Sequence, residues 1–318
     1  MLPGLVEIRS AAQLVHGVMP RTPQHNWPLL DERVGAQVWV KHENHAPTGA
    51  FKVRGGMVYF DRLARSGQRI DGVVTATRGN HGQSVGLAAR RSRIPIAVVV
   101  PVGNSREKNE AMRALGVELI ESGDDFQAAV EEADRIATTR GWHRLPSYHP
   151  WLIAGVATWA LELFDAVPGI DTLYVPIGLG SGISGAIAVR DGLALPTKIV
   201  GVVSAHAPAY ARSIAAGTLE SHPVSTVLAD GMACRTPVAE ALEVIARGAD
   251  RIVEVTDDEV AAAMRVLFTD THNVAEGAGA AATAALLQES ERQRGRRVAV
   301  VVSGGNVDAD VYARVLTG

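Results

Sequence analysis

The feature that most constrains this chain is a repeated order: a short apolar run, often a glycine-bearing loop, then a longer stretch with helical spacing. The apolar runs lie at residues 37–41, 73–76, 96–100, 117–120, 172–177, 198–203, 251–255 and 298–302. They are too short for helices and lack regular polar alternation, so they read as strands buried on both faces. Helical patterns occupy 51–66, 82–92, 106–115, 125–139, 153–164, 237–246, 257–268 and 276–289. Strand, helix, strand is the α/β arrangement, with helices covering both faces of parallel sheets. Ligands bind such sheets at the carboxyl ends of the strands. The closely spaced units in 71–141 predict a compact subdomain, with 142–149 as a return crossing.

Composition narrows the function. With 318 residues, 47% apolar and 20% charged, the chain can bury a sizeable core in one large or two modest domains. The balance of 31 basic and 34 acidic residues gives a formal charge of -3 and no bulk case for a nucleic-acid partner. Arg294, Arg296 and Arg297 read as a solvated helix end. The single cysteine, Cys234, excludes an intrachain disulfide and an all-cysteine metal cluster, and its best reading is inert packing. No apolar stretch nears the ~20 residues of a membrane span, and residues 1–9 do not resemble a signal peptide. The expected location is the cytoplasm. Glycine is in excess, at 32 residues.

Much of that glycine sits in loops suited to binding. Thr77-Arg78-Gly79-Asn80-His81-Gly82 follows a strand and opens a helix, where first-turn amides suit a carboxylate or phosphate. Gly178-Leu179-Gly180-Ser181-Gly182 also runs from strand to helix; its backbone can approach a phosphate closely, and it is not a P-loop because no Lys-Ser/Thr pair follows. Ser303-Gly304-Gly305-Asn306 ends the last strand with a neutral hydroxyl. Lys52 stands near a helix start behind Pro47 and Gly49, where the helix dipole disfavours its charge; desolvation there suits Schiff-base chemistry. Each loop taken alone also reads as a plain turn, and Lys52 as a surface lysine.

Together, in this order and across nearly the whole chain, these segments and Ala229-Asp230-Gly231 resemble the fold-type II pyridoxal-phosphate enzymes. The resemblance is to the branch of threonine and serine dehydratases and serine racemase. It implies a tryptophan-synthase-β-like fold: two open α/β domains with pyridoxal 5'-phosphate between them. Residues 1–50 and 146–318 would form the large domain and 51–145 a small mobile one. Lys52 would hold the cofactor as a Schiff base and act as the catalytic base, with Phe51 packed beside the ring. Asn80 would meet the ring's 3-hydroxyl, and Gly178, Leu179, Gly180, Ser181 and Gly182 the phosphate. Ser303 would face the ring nitrogen, and Glu276 would lie near the ring. Thr77, Arg78, Gly79 and His81 would contact substrate. The implied activity is an ammonia-lyase converting a β-hydroxy L-amino acid such as threonine or serine to a 2-oxo acid and ammonia. Family members are usually dimers, so a homodimer is expected. The length leaves no room for the C-terminal effector domain of biosynthetic threonine dehydratases, which points to catabolic or unregulated use.

The chain also departs from that family. Arg78 stands where relatives often carry serine or alanine. Arginine is a poor proton shuttle, so racemisation is expected to be weak or absent. It suits a carboxylate, that of a 3-hydroxyaspartate side chain, an α-carboxylate or a protein acid. Where metal-using members carry Glu, Ala and Asp this chain has Val203, Ala207 and Ala209, so two carboxylates are missing and no metal site is expected. Tyr148, His149 and Trp151 are candidates to line a larger pocket, as for a phenylserine-type substrate. A regulatory protein retaining the fold is the non-enzyme alternative, opposed by the presence of Lys52, Asn80 and Ser303.

Overall fold

The computed structural model describes residues 2–318. Its strands are β1 Gln24–Asn26, β2 Gln37–His42, β3 Val73–Ala76, β4 Ile96–Val100, β5 Glu118–Glu121, β6 His143–Arg144, β7 Thr172–Pro176, β8 Lys198–Ser204, β9 Arg251–Val255 and β10 Arg297–Val302. They form a six-stranded sheet in the order β1-β2-β10-β7-β8-β9 and a four-stranded sheet in the order β5-β4-β3-β6. All pairings are parallel except β1 with β2. Every apolar run became a strand, but burial on both faces holds for the central strands and not for the edge strands β5 and β9, which keep exposed or half-buried positions.

The alternation of side chains divides each core in two. In β10, Val298, Val300 and Val302 join Val38, Val40 and Val200 under the helix Gly277–Gln288. Ala299 and Val301 point the other way, to Leu173, Val175 and Ile199 and the helices Thr158–Ala166 and Ser181–Gly192. The small sheet repeats the scheme: Val73, Val98 and Val100 pack with Val85 and Met112, whereas Val74, Ala97 and Val99 pack with Ala129, Ala133 and Ile136.

The helix Lys52–Arg65 joins the two sheets' surroundings. Its Tyr59, Phe60 and Leu63 enter the small core, and its Val53, Met57 and Val58 pack on Ala11, Val15, Met19 and Ala154. Its first turn is pinned by a buried charge cluster. Arg54 donates to Glu43 at 2.7 Å and to Glu162 at 2.6 Å, and Lys41 donates to Glu162 at 2.6 Å. Two cations matched by two carboxylates, fully hydrogen-bonded, is the arrangement buried charge requires.

Some expectations change in detail. The helix expected at 153–164 is two, Pro150–Val156 and Thr158–Ala166, and the Thr158 hydroxyl donates to the Gly155 carbonyl at 2.7 Å at the junction. The helices Leu5–His16, Pro28–Val34, Ala209–Ala216 and Ala309–Thr317 and the short strands β1 and β6 join the expected elements. No described helix is long and apolar enough to cross a membrane.

Candidate active site

The glycine-bearing loops after β3, β7 and β10 converge on one cleft with about 920 Å³ of empty space, counting its open mouth. Its walls include Phe51, Lys52, Thr77, Arg78, Gly79, Asn80, His81, Gly178, Leu179, Gly180, Ser181, Gly182, Glu276 and Ser303.

The lysine segment is held by the end of β10. Phe51 N donates to Ser303 O at 3.0 Å, Gly305 N donates to Gly49 O at 2.9 Å, and Ala50 bridges Gly304. Lys52 then begins its helix with Nζ donating to the Ser181 hydroxyl at 2.9 Å. Burial pushes this amine down to about 8. The Phe51 ring lies beside it, with Nζ 5.0 Å from the ring centroid.

Opposite stands the turn after β7. Gly180 adopts φ +95°, which L side chains disfavour, and the helix Ser181–Gly192 starts directly behind it. Ser184 N is the first to donate back into the turn, to Gly180 O at 3.0 Å. The earlier amides have no intrahelical acceptor and lie at the positive end of the helix. Unpaired amides at the positive end of a helix, behind a turn with no side chain at Gly180, offer an anion a place to bind.

The turn after β3 is as specialised. Gly79 has φ +149° and takes the Thr77 hydroxyl as acceptor at 3.0 Å. Asn80 donates to Glu276 Oε1 at 2.5 Å and accepts from Asn306 Nδ2 at 2.9 Å. Burial pushes the Glu276 carboxyl up, against the pull of the Lys108 ammonium 3.0 Å away. Lys108 also pairs with Asp230 at 2.7 Å. Burial, then Lys52 and Arg144, push His81 down to about 3, so its ring is neutral. The buried Ser303 hydroxyl donates to Ala278 O at 3.3 Å and brings no charge to its wall. The Arg78 Nε is buried with no partner.

Tyr148 and His149 are not among the cleft's lining residues. The Tyr148 hydroxyl meets Ser184 Oγ at 3.2 Å, inside the helix behind the cradle. His149 Nδ1 accepts from Trp151 N at 3.1 Å, and its ring stacks edge-on against Tyr59 and Trp151 at 5.1 and 5.0 Å. Of that crossing, only Ser147 reaches the cleft.

The structure adds residues that the sequence reading did not assign. Phe126 opens the helix Phe126–Arg140 and lines the cleft, as do Met232 and Cys234. Burial pushes the Cys234 thiol up to about 12. Asp230 stood out only as part of Ala229-Asp230-Gly231, and Lys108 was simply one residue of the helical pattern 106–115. Their pairing spans 122 residues, so no local signal could reveal it. No described group of three or more His, Cys, Asp or Glu side chains is placed to hold a metal ion.

A primary amine of lowered affinity for protons, a glycine cradle for a dianion and a neutral hydroxyl wall form a donor set that fits a phosphorylated aldehyde. The chain belongs to the family of pyridoxal-phosphate dependent enzymes, whose model matches residues 16–304. Among its relatives is an L-threonine ammonia-lyase from Thermotoga maritima, 34% identical and matched over 98% of this chain and 78% of that protein. An L-threo-3-hydroxyaspartate ammonia-lyase from Pseudomonas is 32% identical over 98% of each. The solved structure of maize serine racemase superposes with a TM-score of 0.92 at 28% identity, covering 99% of this chain and 97% of that one. The fold is therefore the fold-type II architecture, and the cofactor is pyridoxal 5'-phosphate.

Proposed function

We propose that this enzyme is an ammonia-lyase that removes water and then ammonia from a β-hydroxy L-amino acid, with threonine or serine as the default substrate. The observation that carries the reading is the Lys52 amine, half-buried and 2.9 Å from Ser181 at the mouth of the glycine cradle. It is supported by the 34% identity to the Thermotoga maritima L-threonine ammonia-lyase.

When bound, pyridoxal 5'-phosphate draws electrons from the carbon attached to the amino nitrogen and so acidifies its proton. The residues then divide the work. Lys52 would hold the cofactor through Nζ, and the same atom, when free, would take the proton from the substrate's α-carbon. The amides of residues 178–182 hold the phosphate, with the Ser181 hydroxyl beside Lys52. Asn80, fixed between Glu276 and Asn306, presents its amide to the ring's oxygen. Ser303 would meet the ring nitrogen as a neutral group, which would disfavour protonation there and favour loss of the β-hydroxyl over transamination. Phe51 closes one side of the ring. Thr77, Gly79 and His81 border the substrate.

A second reading has its own observation. The partnerless Nε of Arg78 in the cleft wall suits a second carboxylate on the substrate, as in 3-hydroxyaspartate. The 32% identity to the Pseudomonas enzyme supports it. Arg78 also argues against racemisation, which needs a proton shuttle on the opposite face of the ring. A phenylserine-type substrate would have to rest on Phe126, since Tyr148 and His149 stand outside the cleft lining.

Residues 51–145 act as the smaller, moving body and 1–50 with 146–318 as the larger. The contacts across the cleft side are polar, Ser105 to Asp308 at 2.5 Å and Arg235 to Asp125 at 3.0 Å, in contrast to the apolar packing of Lys52–Arg65. The enzyme is a cytoplasmic homodimer, a reading supported by the family resemblance and, for the compartment, consistent with a chain of one cysteine. The test is a panel of β-hydroxy amino acids, in both enantiomers and both β-configurations, with 2-oxo acid and ammonia detected together. Failure of every member to yield both products sinks the proposal.

A further inference from the structure

The turn that would cradle the phosphate has its amides left unpaired by the helix N-terminus, and its helix bonds back to it only through Ser184 N on Gly180 O. Something on the far side of the turn must fix it. The side chain there is Tyr210, the second residue of the helix Ala209–Ala216 after β8. Tyr210 is 1% exposed and does not line the cleft. Its hydroxyl donates to Leu179 O at 3.1 Å and accepts from Val238 N at 3.1 Å. Both bonding capacities that geometry offers are used, and both partners are main-chain atoms in walls of the cleft or next to them. A Cβ built on Gly180 would lie 3.3 Å from this hydroxyl and 2.7 Å from Ala241 Cβ, so the turn rests directly on Tyr210 and the helix Ala239–Gly248.

The trans peptide transmits the restraint. No peptide bond in the described chain is cis. In a trans unit the carbonyl and the following N–H point in opposite directions. A Leu179 carbonyl tied down to Tyr210 therefore turns the Gly180 N–H to the opposite side of the turn, which is the side of the cleft. Val203, Ala207 and Ala209 around the start of this helix offer no carboxylate, so no cation-binding side chain from them shares the task.

We infer that Tyr210 is a positioning residue for the cofactor phosphate, its hydroxyl aiming the amides of residues 179–181 at the dianion by anchoring the Leu179 carbonyl. The inference rests on the reading of residues 178–182 as the phosphate cradle. Burial raises the phenol's pKa, which keeps it a donor throughout the working pH range.

The test is Tyr210→Phe, which keeps the ring and deletes only the hydroxyl. Holoenzyme is stripped of cofactor, and pyridoxal 5'-phosphate and unphosphorylated pyridoxal are titrated back by absorbance. The expected result is about ten-fold weaker binding of the phosphorylated form, with pyridoxal affinity unchanged and the melting temperature of the apoprotein close to wild type. Unchanged affinity for the phosphorylated form overturns the inference, as does an equal loss for both forms. Wild-type protein that binds pyridoxal as tightly as its phosphate removes the cradle reading itself, and the inference falls with it.

Discussion

Lys52 and Ser181, whose Nζ and Oγ atoms lie 2.9 Å apart, are each the first residue of a helix, one in Lys52–Arg65 and the other in Ser181–Gly192. Burial pushes the amine down to about 8, and the positive ends of both helices act in the same direction. The same dipole ends that unsettle a cation welcome an anion. One arrangement thus frees an amine for carbonyl chemistry and, on the proposed reading, would bind a phosphate beside it.

Replacing that amine tests the scheme at its centre. Lys52→Ala should lower turnover by at least ~1,000-fold and abolish the visible absorbance of lysine-bound cofactor. Retention of both signals would remove Lys52 from the chemistry.

The pH dependence of cofactor capture follows from the same group. Only the neutral amine attacks an aldehyde, and the folded apoprotein reaches half-neutral Lys52 near pH 8 rather than at the ordinary value of 10.5. The second-order rate of pyridoxal 5'-phosphate capture should climb with pH, then level off above about pH 8. Stopped-flow absorbance measures it; a rate still climbing ten-fold per unit beyond pH 9 contradicts the lowered value.

Arg78 separates the substrate readings. If its guanidinium meets a side-chain carboxylate, Arg78→Ala should cut kcat/KM for L-threo-3-hydroxyaspartate by ~10–100-fold, the worth of a hydrogen bond to a charged group. Threonine should change far less. Equal losses on both substrates would assign Arg78 to the α-carboxylate, and no loss on either would leave it outside substrate binding.

The buried charge cluster carries a stability prediction. Arg54→Ala leaves Glu43 and Glu162 without their main partner in the interior, which should cost about 3–5 kcal/mol. Urea unfolding of the holoenzyme reads it. A loss under about 1 kcal/mol would mean that the carboxylates find protons or water at little cost.

Chelation should leave the enzyme active, because Val203, Ala207 and Ala209 supply no carboxylate ligand. Activity lost to a chelator and restored by magnesium would reverse this.

What the sequence disclosed follows physical range. Strand runs such as 298–302 were legible because burial on both faces leaves a local, uninterrupted apolar signature. β1 and β6 carried none: one is the polar tripeptide Gln24–Asn26 and the other the pair His143–Arg144, both set by their neighbours. The cleft's loops were legible through glycine, which marks backbone that must pass close to something. The polar partners were not, because Lys108 reaches Glu276 and Asp230 only after both sheets have formed. Tyr148 and His149 drew notice as polar aromatics near the cleft in sequence, yet the crossing turns them into the packing behind it.

The order of the large sheet bears on how the protein is made. β10 lies between β2 and β7, so the last strand to leave the ribosome is inserted into the middle of the sheet, with Ser303 at its tip. Until it arrives, β2 and β7 have an unfilled gap between them, and the ledge that carries Ala50 and Phe51 does not exist. The small sheet, complete once β6 has been translated, has no such wait. A nascent chain stalled between β6 and β10 therefore has every strand of the small sheet, an unclosed large sheet and a lysine with nothing to aim it. Premature termination should yield inert protein rather than a half-active enzyme.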